Sequence, residues 1–246
     1  MANPRIAFFD IENAPSLGWF YDPYKEGNIV ATEQDWFMLS FAWKWAGESK
    51  VHVKALCDYP GYGKNKTDDK PLVRELHQLF DQADILIAHN GDRFDRRKAN
   101  SRFLGCSLPP PSPYKVIDTL KIARRQFMQN SNRLGELGEF LGLGSKLATT
   151  GWDTWRRCIE GDPKAWAALK RYNKRDVSLL EQVFERLRPW NPNPPDLRAY
   201  SGDKLSCPVC QSGNIQRRGV NVAKTRKTQR MHCQSCSHWF SGETVK

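Results

Sequence analysis

Short apolar runs bounded by polar residues mark the candidate strands of this chain. The run at residues 6–9 passes directly into the polar segment 10–13, a pattern typical of a buried central strand with a polar end. Two apolar runs on either side of Gly47 predict a hairpin that extends this first strand antiparallel. The predicted strands, including two later ones, cover residues 6–13, 36–46, 50–58, 85–88 and 115–117.

Apolar residues at helical spacing follow several of these strands. A helix is expected from Lys70 to Gln82, with Pro71 in its first turn. Asp118 is interpreted as the N-cap of a helix, and Asp162 followed by Pro163 predicts the start of a long helix that reaches about Arg188. Further helices are expected at residues 93–104, 134–143 and 152–159, whereas residues 14–34 and 144–151 are expected to be irregular.

A proline-rich segment divides the chain near its C-terminus. Residues 189–195 read Pro-Trp-Asn-Pro-Asn-Pro-Pro, which ends the long helix and is typical of a semi-rigid linker. We therefore predict an α/β domain at residues 1–188, a linker at 189–203 and a small C-terminal domain at 204–246. A chain of 246 residues is long enough for this division.

The net charge of +11 is unevenly distributed. Residues 200–246 contain eight Lys or Arg against Asp203 and Glu243, so this segment carries +6 and the remainder of the chain carries +5. A basic segment of this kind attracts polyanions, and no basic amphipathic helix is evident. Nucleic acid is therefore the expected partner, in preference to a membrane.

Apolar runs and cysteine spacing indicate the compartment. We find no run of 18 apolar residues, and the N-terminal sequence MANPRIAFF lacks a basic segment followed by a long apolar core. We therefore expect a cytoplasmic protein that has neither a membrane span nor a signal peptide. Seven cysteines, four of them in two CxxC pairs, favour a metal site in a reducing compartment over a disulfide framework. Cys57, Cys106 and Cys158 are expected to be small core residues.

Acidic residues at the ends of predicted elements are the candidate chemistry. Asp10 and Glu12 lie two apart on the first strand and therefore share a face. Two adjacent carboxylates repel each other, and a divalent cation is the usual reason to hold them together, although two solvated acids would give the same pattern. Asp95 follows a later strand, and Tyr172 and Asp176 lie one helical turn apart on the long helix.

The joint occurrence of these residues resembles the DEDD superfamily of 3′-to-5′ exonucleases, which includes polymerase proofreading domains. The segment FDIE at 9–12 matches its first motif, HNGDRFD at 89–95 its second, and YNKRD at 172–176 its third, in the tyrosine subtype DEDDy. The resemblance covers roughly residues 5–188, and the later half is similar to phage and bacterial members. It implies an RNase H-like fold, with a mixed five-stranded sheet in the order 3-2-1-4-5 flanked by helices.

The resemblance also implies hydrolysis of terminal phosphodiesters with two Mg²⁺ or Mn²⁺ ions, releasing nucleoside monophosphates. Asp10 would bridge both ions, Glu12 and Asp176 would hold the ion that activates water, and Asp95 would support the second ion. Tyr172 would orient the attacking water. Asn90 is a weaker candidate for contact with the substrate strand, and the neighbouring Asp92 is the alternative to Asp95 as a ligand.

Basic and aromatic residues provide candidate contacts to nucleic acid. Arg93, Arg96 and Arg97 lie on a predicted helix that is either a solvated face or a phosphate track, and we favour the track slightly. The aromatic residues at positions 19, 20, 21 and 24 are expected to pack in the loop, with base stacking as the alternative.

The C-terminal segment has the spacing of a zinc site. Cys207 and Cys210 are separated by 22 residues from Cys233 and Cys236, and four cysteines in two CxxC pairs predict one structural Zn²⁺ in a zinc ribbon. His232 and His238 are alternative ligands. The candidate nucleic-acid contacts are Arg217, Arg218, Lys224, Arg226, Lys227 and Arg230, although a purely structural or protein-docking ribbon would fit the same sequence.

Together these features predict a 3′-to-5′ exonuclease with a zinc ribbon that binds nucleic acid, with single-stranded DNA favoured over RNA and a replication or repair protein as a further candidate partner. One alternative is an RNase H-like endonuclease or structure-specific nuclease. Another is a regulator that binds nucleic acid without catalysis. A phage-encoded protein would act in the host-cell cytoplasm.

Overall fold

The computed structural model describes residues 3–22, 29–144 and 151–245. The strands are β1 (Ile6–Asn13), β2 (Leu17–Phe20), β3 (Ile29–Gln34), β4 (Met38–Trp45), β5 (His52–Ala55), β6 (Ile85–Ala88), β7 (Lys115–Asp118), β8 (Ile215–Val222), β9 (Lys227–Cys233) and β10 (Trp239–Val245). The helices are α1 (Lys70–Gln82), α2 (Asp95–Gly105), α3 (Thr119–Gln126), α4 (Leu134–Phe140), α5 (Trp152–Glu160), α6 (Pro163–Leu187) and α7 (Arg198–Ser201). Short 3-10 turns lie at Leu56–Asp58 and Arg188–Trp190.

A mixed five-stranded sheet with the order β5-β4-β1-β6-β7 forms the centre of the fold. β1 pairs antiparallel with β4 and parallel with β6, and β7 continues the parallel side. When only the five strands of this sheet are numbered in chain order, β1, β4, β5, β6 and β7 become strands 1 to 5, and their order across the sheet is 3-2-1-4-5. The predicted RNase H-like topology is therefore confirmed. The hairpin of β4 and β5 extends β1 as the apolar pattern predicted.

Both faces of β1 are covered, which explains the unbroken apolar run. Phe9 belongs to a core cluster with the buried side of α1 and packs edge-on against Phe80. Phe8 points to the other face, where it meets Phe184 of α6. Because side chains alternate along a strand, Asp10 and Glu12 continue on the Phe8 face, toward α6.

The long helix α6 begins where the sequence predicted. The Asp162 side chain accepts hydrogen bonds from the backbone amides of Lys164 and Ala165, at 2.7 and 3.4 Å, and Pro163 takes the first helical position. Asp118 is likewise confirmed as the N-cap of α3. These caps satisfy amides that would otherwise lack a partner at the helix start.

Residues 14–34 were expected to be irregular, and this prediction is wrong for the described part. β2 and β3 pair antiparallel as a separate two-stranded sheet. Trp19 and Tyr21, which were expected to pack, are 66% and 89% exposed. The strand pattern was missed because neither face of this hairpin is buried, so polar and apolar residues do not alternate. Tyr24 and most of the predicted loop at 144–151 lie outside the described residues.

A three-stranded antiparallel sheet in the order β10-β9-β8, here called the C-terminal sheet, follows the proline-rich segment. Leu197, two residues beyond that segment, is buried in the core cluster that contains Phe8 and Phe184, and its backbone amide donates to the Pro208 carbonyl at 2.7 Å. His238 Nδ1 lies 3.0 Å from the Pro189 carbonyl oxygen. Within the described residues, no helix has the length and apolar character needed to cross a bilayer.

Candidate functional site

Three of the four predicted carboxylates meet on one side of the central sheet. Asp10, Glu12 and Asp176 each offer an oxygen atom within 4.8 Å of the others. Asp176 is 1% exposed, whereas the two strand residues are half-buried. Hard divalent cations such as Mg²⁺ prefer oxygen ligands, so the donor set of this three-carboxylate cluster fits such ions.

The fold brings these residues together from distant positions along the chain. Asp10 and Glu12 share the α6-facing side of β1 because they lie two positions apart. On α6, Asp176 lies one turn before Leu179 and Leu180, which are buried against the same face of the sheet. The apolar contacts of these leucines with the sheet therefore hold α6 in a position where the Asp176 carboxylate reaches β1.

Asn173 is a buried residue of the site that the sequence analysis did not identify. Its Nδ2 donates to Asp10 Oδ2 at 2.7 Å and to the Asp10 backbone carbonyl at 3.3 Å. Its Oδ1 accepts from the Ser40 hydroxyl of β4 at 3.0 Å. Ser40 thereby fixes the orientation of the amide, and Asn173 fixes the orientation of the Asp10 carboxylate. The sequence did contain one indication of this role: Asn173 lies three residues before Asp176, and residues at that spacing share a helix face.

Asp95 lies beside the cluster rather than within it. It is 3% exposed at the first position of α2, and its Oδ1 accepts from the Ile11 backbone amide at 3.3 Å. This places the carboxylate next to the strand between Asp10 and Glu12. Asp92, the alternative ligand, instead forms ion pairs with Arg96 and Lys121.

Tyr172 extends from the half-buried side of α6, one turn before Asp176. The Trp155 ring of α5 packs edge-on against it, with ring centroids 5.8 Å apart. Such an aromatic contact restricts the rotamers of the phenol. The contact between α5 and α6 therefore helps to orient Tyr172.

An open cleft of about 1160 Å³ lies at the carboxyl end of β6. Its lining is largely polar and includes Asn90, Arg124, Asn130, Asn132 and Arg133. Asn90 adopts a left-handed φ of 66°, and its backbone amide donates to Asp118 Oδ1 at 2.9 Å. β6 is paired with β1 in the sheet, but among the described residues the lining of this cleft includes no residue of β1 and none of the four predicted carboxylates.

The three predicted arginines near the start of α2 have different surroundings, and Arg93 lies before the first helical residue, Asp95. Arg93 and Arg97 are exposed, whereas Arg96 is half-buried and its Nε lies 3.5 Å from Asp92 Oδ1. The remaining basic residues of this helix have structural contacts: Arg102 pairs with the fully buried Asp69, and the Lys98 ammonium lies 3.7 Å from the Trp36 ring centroid. The charge of α2 is therefore only partly available to a ligand.

The four cysteines of the two CxxC pairs converge at one point beside the C-terminal sheet. Their sulfur atoms all lie within 4.8 Å of one another, with 3.7 Å between Cys207 and Cys236 and 3.6 Å between Cys210 and Cys233. A tetrahedron with Zn–S bonds of about 2.3 Å has edges of about 3.8 Å. Burial raises the pKa of Cys207 to about 11, so a thiolate there requires a nearby cation. The cluster therefore fits Zn²⁺.

The two histidines considered as alternative ligands lie outside this cysteine cluster. His238 is hydrogen-bonded to the Pro189 carbonyl, and the His232 ring stacks on Trp239 with centroids 4.3 Å apart. The six basic residues predicted to contact nucleic acid are all exposed on the C-terminal sheet or its β8–β9 turn: Arg217, Arg218, Lys224, Arg226, Lys227 and Arg230.

Comparisons with known proteins agree with the topology. The profile of the RNase H superfamily matches residues 35–188, a range that includes Asp95, Tyr172 and Asp176 but not β1. No curated protein matches the chain in sequence. A solved structure, the family B DNA polymerase from the hyperthermophilic archaeon Pyrobaculum calidifontis, superposes with a TM-score of 0.55 at 18% identity. The alignment covers 76% of this chain and 25% of the polymerase chain, so the similarity concerns the fold of one part of that protein.

Proposed function

Because the chain belongs to the RNase H superfamily, we propose that it is a nuclease, and specifically a metal-dependent 3′-to-5′ exonuclease of the DEDDy type. The observation that carries this proposal is the convergence of Asp10, Glu12 and Asp176 within 4.8 Å. Mutually repelling carboxylates at this distance are typical of a site for divalent cations. The similarity of fold to a DNA polymerase supports nucleic acid as the substrate class.

We assign the ion-binding role to Asp10, Glu12, Asp95 and Asp176. Two Mg²⁺ or Mn²⁺ ions, when bound, would activate water and neutralise the charge that develops on the phosphate. Asp95 is close enough to β1 to complete the set, because it is bonded to the amide between Asp10 and Glu12. Tyr172 would orient the attacking water, and Asn173 would hold the Asp10 carboxylate in a single orientation.

The cleft at the end of β6 is the proposed path of the substrate strand. Amide side chains and the guanidinium groups of Arg124 and Arg133 line it, and such groups bind phosphate oxygens without reading sequence. We assign Asn90 to contact with the strand. Arg93 and Arg97, both exposed, would continue the phosphate track.

The C-terminal cysteine cluster is proposed to bind one structural Zn²⁺ and to form a zinc ribbon that binds nucleic acid. A module of about 40 residues buries too little apolar surface to fold without such support. Its basic surface would raise the local concentration of substrate near the carboxylates. A cytoplasmic location, and a replication or repair protein as a partner, remain part of this proposal.

The exonuclease assignment is tested with 5′-labelled single-stranded DNA and RNA of the same sequence. Wild-type protein should shorten them from the 3′ end with Mg²⁺ or Mn²⁺, and should be inactive without a divalent ion. Asp10→Ala and Asp95→Ala should abolish the product ladder. Asp92→Ala is the matched control, because it removes a carboxylate that pairs with Arg96 and Lys121 outside the cluster, and it should retain activity.

Different products would point to the alternative functions. Cleavage of a closed circular single strand would indicate an endonuclease, because such a substrate has no 3′ end. Binding of both oligonucleotides with no hydrolysis in either metal would contradict the exonuclease proposal and favour a non-catalytic regulator.

A further inference from the structure

One face of the C-terminal sheet carries a row of side chains that the cysteine cluster does not use. Gln216, His232 and Trp239 are directly opposite one another across β8, β9 and β10, so their side chains share a face. Arg230 lies two positions from His232 on β9 and belongs to the same face. Arg218 lies at a register shift of β8, and its Nη1 donates to Gln216 Oε1 at 3.0 Å, which places its guanidinium on this face as well. We call this set the outer row.

The opposite face of the sheet is already covered. Ile215 and Phe240 pack against the cluster that contains Cys207, Val209, Cys233 and Cys236. Their strand neighbours in the outer row therefore point away from the cysteines. The sheet thus has one face that supports the metal site and one that is open.

Trp239 is the centre of the outer row. Its ring stacks on His232 at 4.3 Å with an interplanar angle of 23°, and the Arg230 guanidinium carbon lies 4.9 Å from the ring centroid. Gln234 Nε2 lies 2.8 Å from His232 Nδ1 and thereby restrains the imidazole. The indole is held by these contacts and still has 44% of its surface exposed, so part of the aromatic surface is accessible to a ligand.

The charge around Trp239 identifies the kind of ligand. Arg218 and Arg230 are exposed, and the outer row contains no acidic side chain. Strands are about 4.8 Å apart, so β8, which carries Arg218, lies about 10 Å across the sheet from β10, which carries Trp239. An aromatic ring that stacks a base, with cations that contact the flanking phosphates, is the combination that binds single strands. Paired bases in a duplex would not offer a free face to the indole.

We propose that four residues of the outer row, Arg218, Arg230, His232 and Trp239, form a stacking platform for an unpaired base of single-stranded nucleic acid. The inference rests on the proposed nucleic-acid function and specifies where and in which form the strand binds. The platform would hold the substrate through a base, at a site separate from the carboxylate cluster.

The test uses the full-length, zinc-loaded protein with Asp10→Ala, so that binding is measured without hydrolysis. Fluorescence anisotropy follows a labelled oligothymidine strand and a duplex of equal length. Trp239→Leu should weaken binding of the single strand by roughly 5- to 150-fold, since one stacked base contributes about that much, and should leave duplex binding unchanged. Trp239→Phe should restore most of the affinity because it restores an aromatic ring.

Lys224→Gln is the control for charge, because Lys224 lies in the β8–β9 turn away from the outer row. It should weaken single-strand and duplex binding alike and reduce the salt dependence, which Trp239→Leu should not change. Zinc content measured for each variant verifies that the module is folded.

Unchanged single-strand affinity in zinc-replete Trp239→Leu would overturn the platform proposal. Equal losses of affinity for the single strand and the duplex would also overturn it, because they would show that Trp239 does not stack on an unpaired base. Failure of the exonuclease proposal would be seen separately, as wild-type protein that binds oligonucleotides without shortening them.

Discussion

Replacement of Asn173 tests whether the second layer of the carboxylate site controls activity. Asn173→Leu keeps a side chain of similar size but removes the donor that lies 2.7 Å from Asp10 Oδ2. A hydrogen bond to a charged group contributes about 1.5 to 3 kcal/mol. If this energy is needed to orient Asp10 in the transition state, the rate should fall by roughly 10- to 150-fold.

The assay measures initial rates of 3′ shortening at increasing Mg²⁺ concentration. We expect Asn173→Leu to require more Mg²⁺ for half-maximal activity, because a mobile Asp10 carboxylate holds a cation less well. Ser40→Ala removes the hydroxyl that orients the Asn173 amide and should cause a smaller loss, since that bond joins neutral groups. Gln182→Leu, an amide-to-leucine change at an exposed position of the same helix, should leave both the rate and the Mg²⁺ dependence unchanged.

Thermal unfolding separates this effect from a general loss of structure. The Asn173→Leu protein should remain folded at the assay temperature, although the buried Ser40 hydroxyl loses a partner. A variant that is folded and matches wild type in rate and in Mg²⁺ dependence would refute the argument that Asn173 positions Asp10.

Three further changes have expected outcomes. Tyr172→Phe should lower kcat by about 10-fold or more with little change in KM, because it removes the hydroxyl proposed to orient water and keeps the ring contact with α5. A single-turnover cleavage rate equal to that of wild type would exclude that role. Arg102→Ala should destabilise the fold by about 3 to 5 kcal/mol and lower Tm by roughly 6 to 20 °C, because it leaves Asp69 buried without its cation. Arg97→Ala on the same helix should leave Tm unchanged, and an Arg102→Ala protein with the Tm of Arg97→Ala would contradict the prediction. Asp162→Ala should lower Tm by a few degrees through loss of the α6 N-cap. The Arg157 guanidinium and the Lys164 amide hold the pKa of Asp162 below its usual range, so the difference from wild type should be full above a pH of about 4 and should disappear as the pH falls through the lowered pKa.

The elements of the central sheet show how far sequence pattern extends. β1, β6 and α6 were predicted because each carries its own signal: an unbroken apolar run buried on both faces, or a capped start followed by helical spacing. The β2–β3 hairpin was missed because its residues are exposed on both faces, so no periodicity marks it. Trp19, Phe20 and Tyr21 were expected to pack in a loop, and they are exposed instead.

The sequence by itself determined the central strands, the long capped helix, the candidate carboxylates and the paired cysteines, because burial, capping and ligand spacing are encoded by residues close together along the chain. The strand order was expected only because the motifs resemble those of a known superfamily. The tertiary structure alone decided that Asn173 bonds to Asp10 across 163 positions, that Asp95 lies beside β1 while Asp92 pairs with cations, and that Trp239 stacks on His232. Such contacts depend on the register of paired strands and the packing height of helices on a sheet. Those quantities are set by the whole core, so no local segment of the chain encodes them.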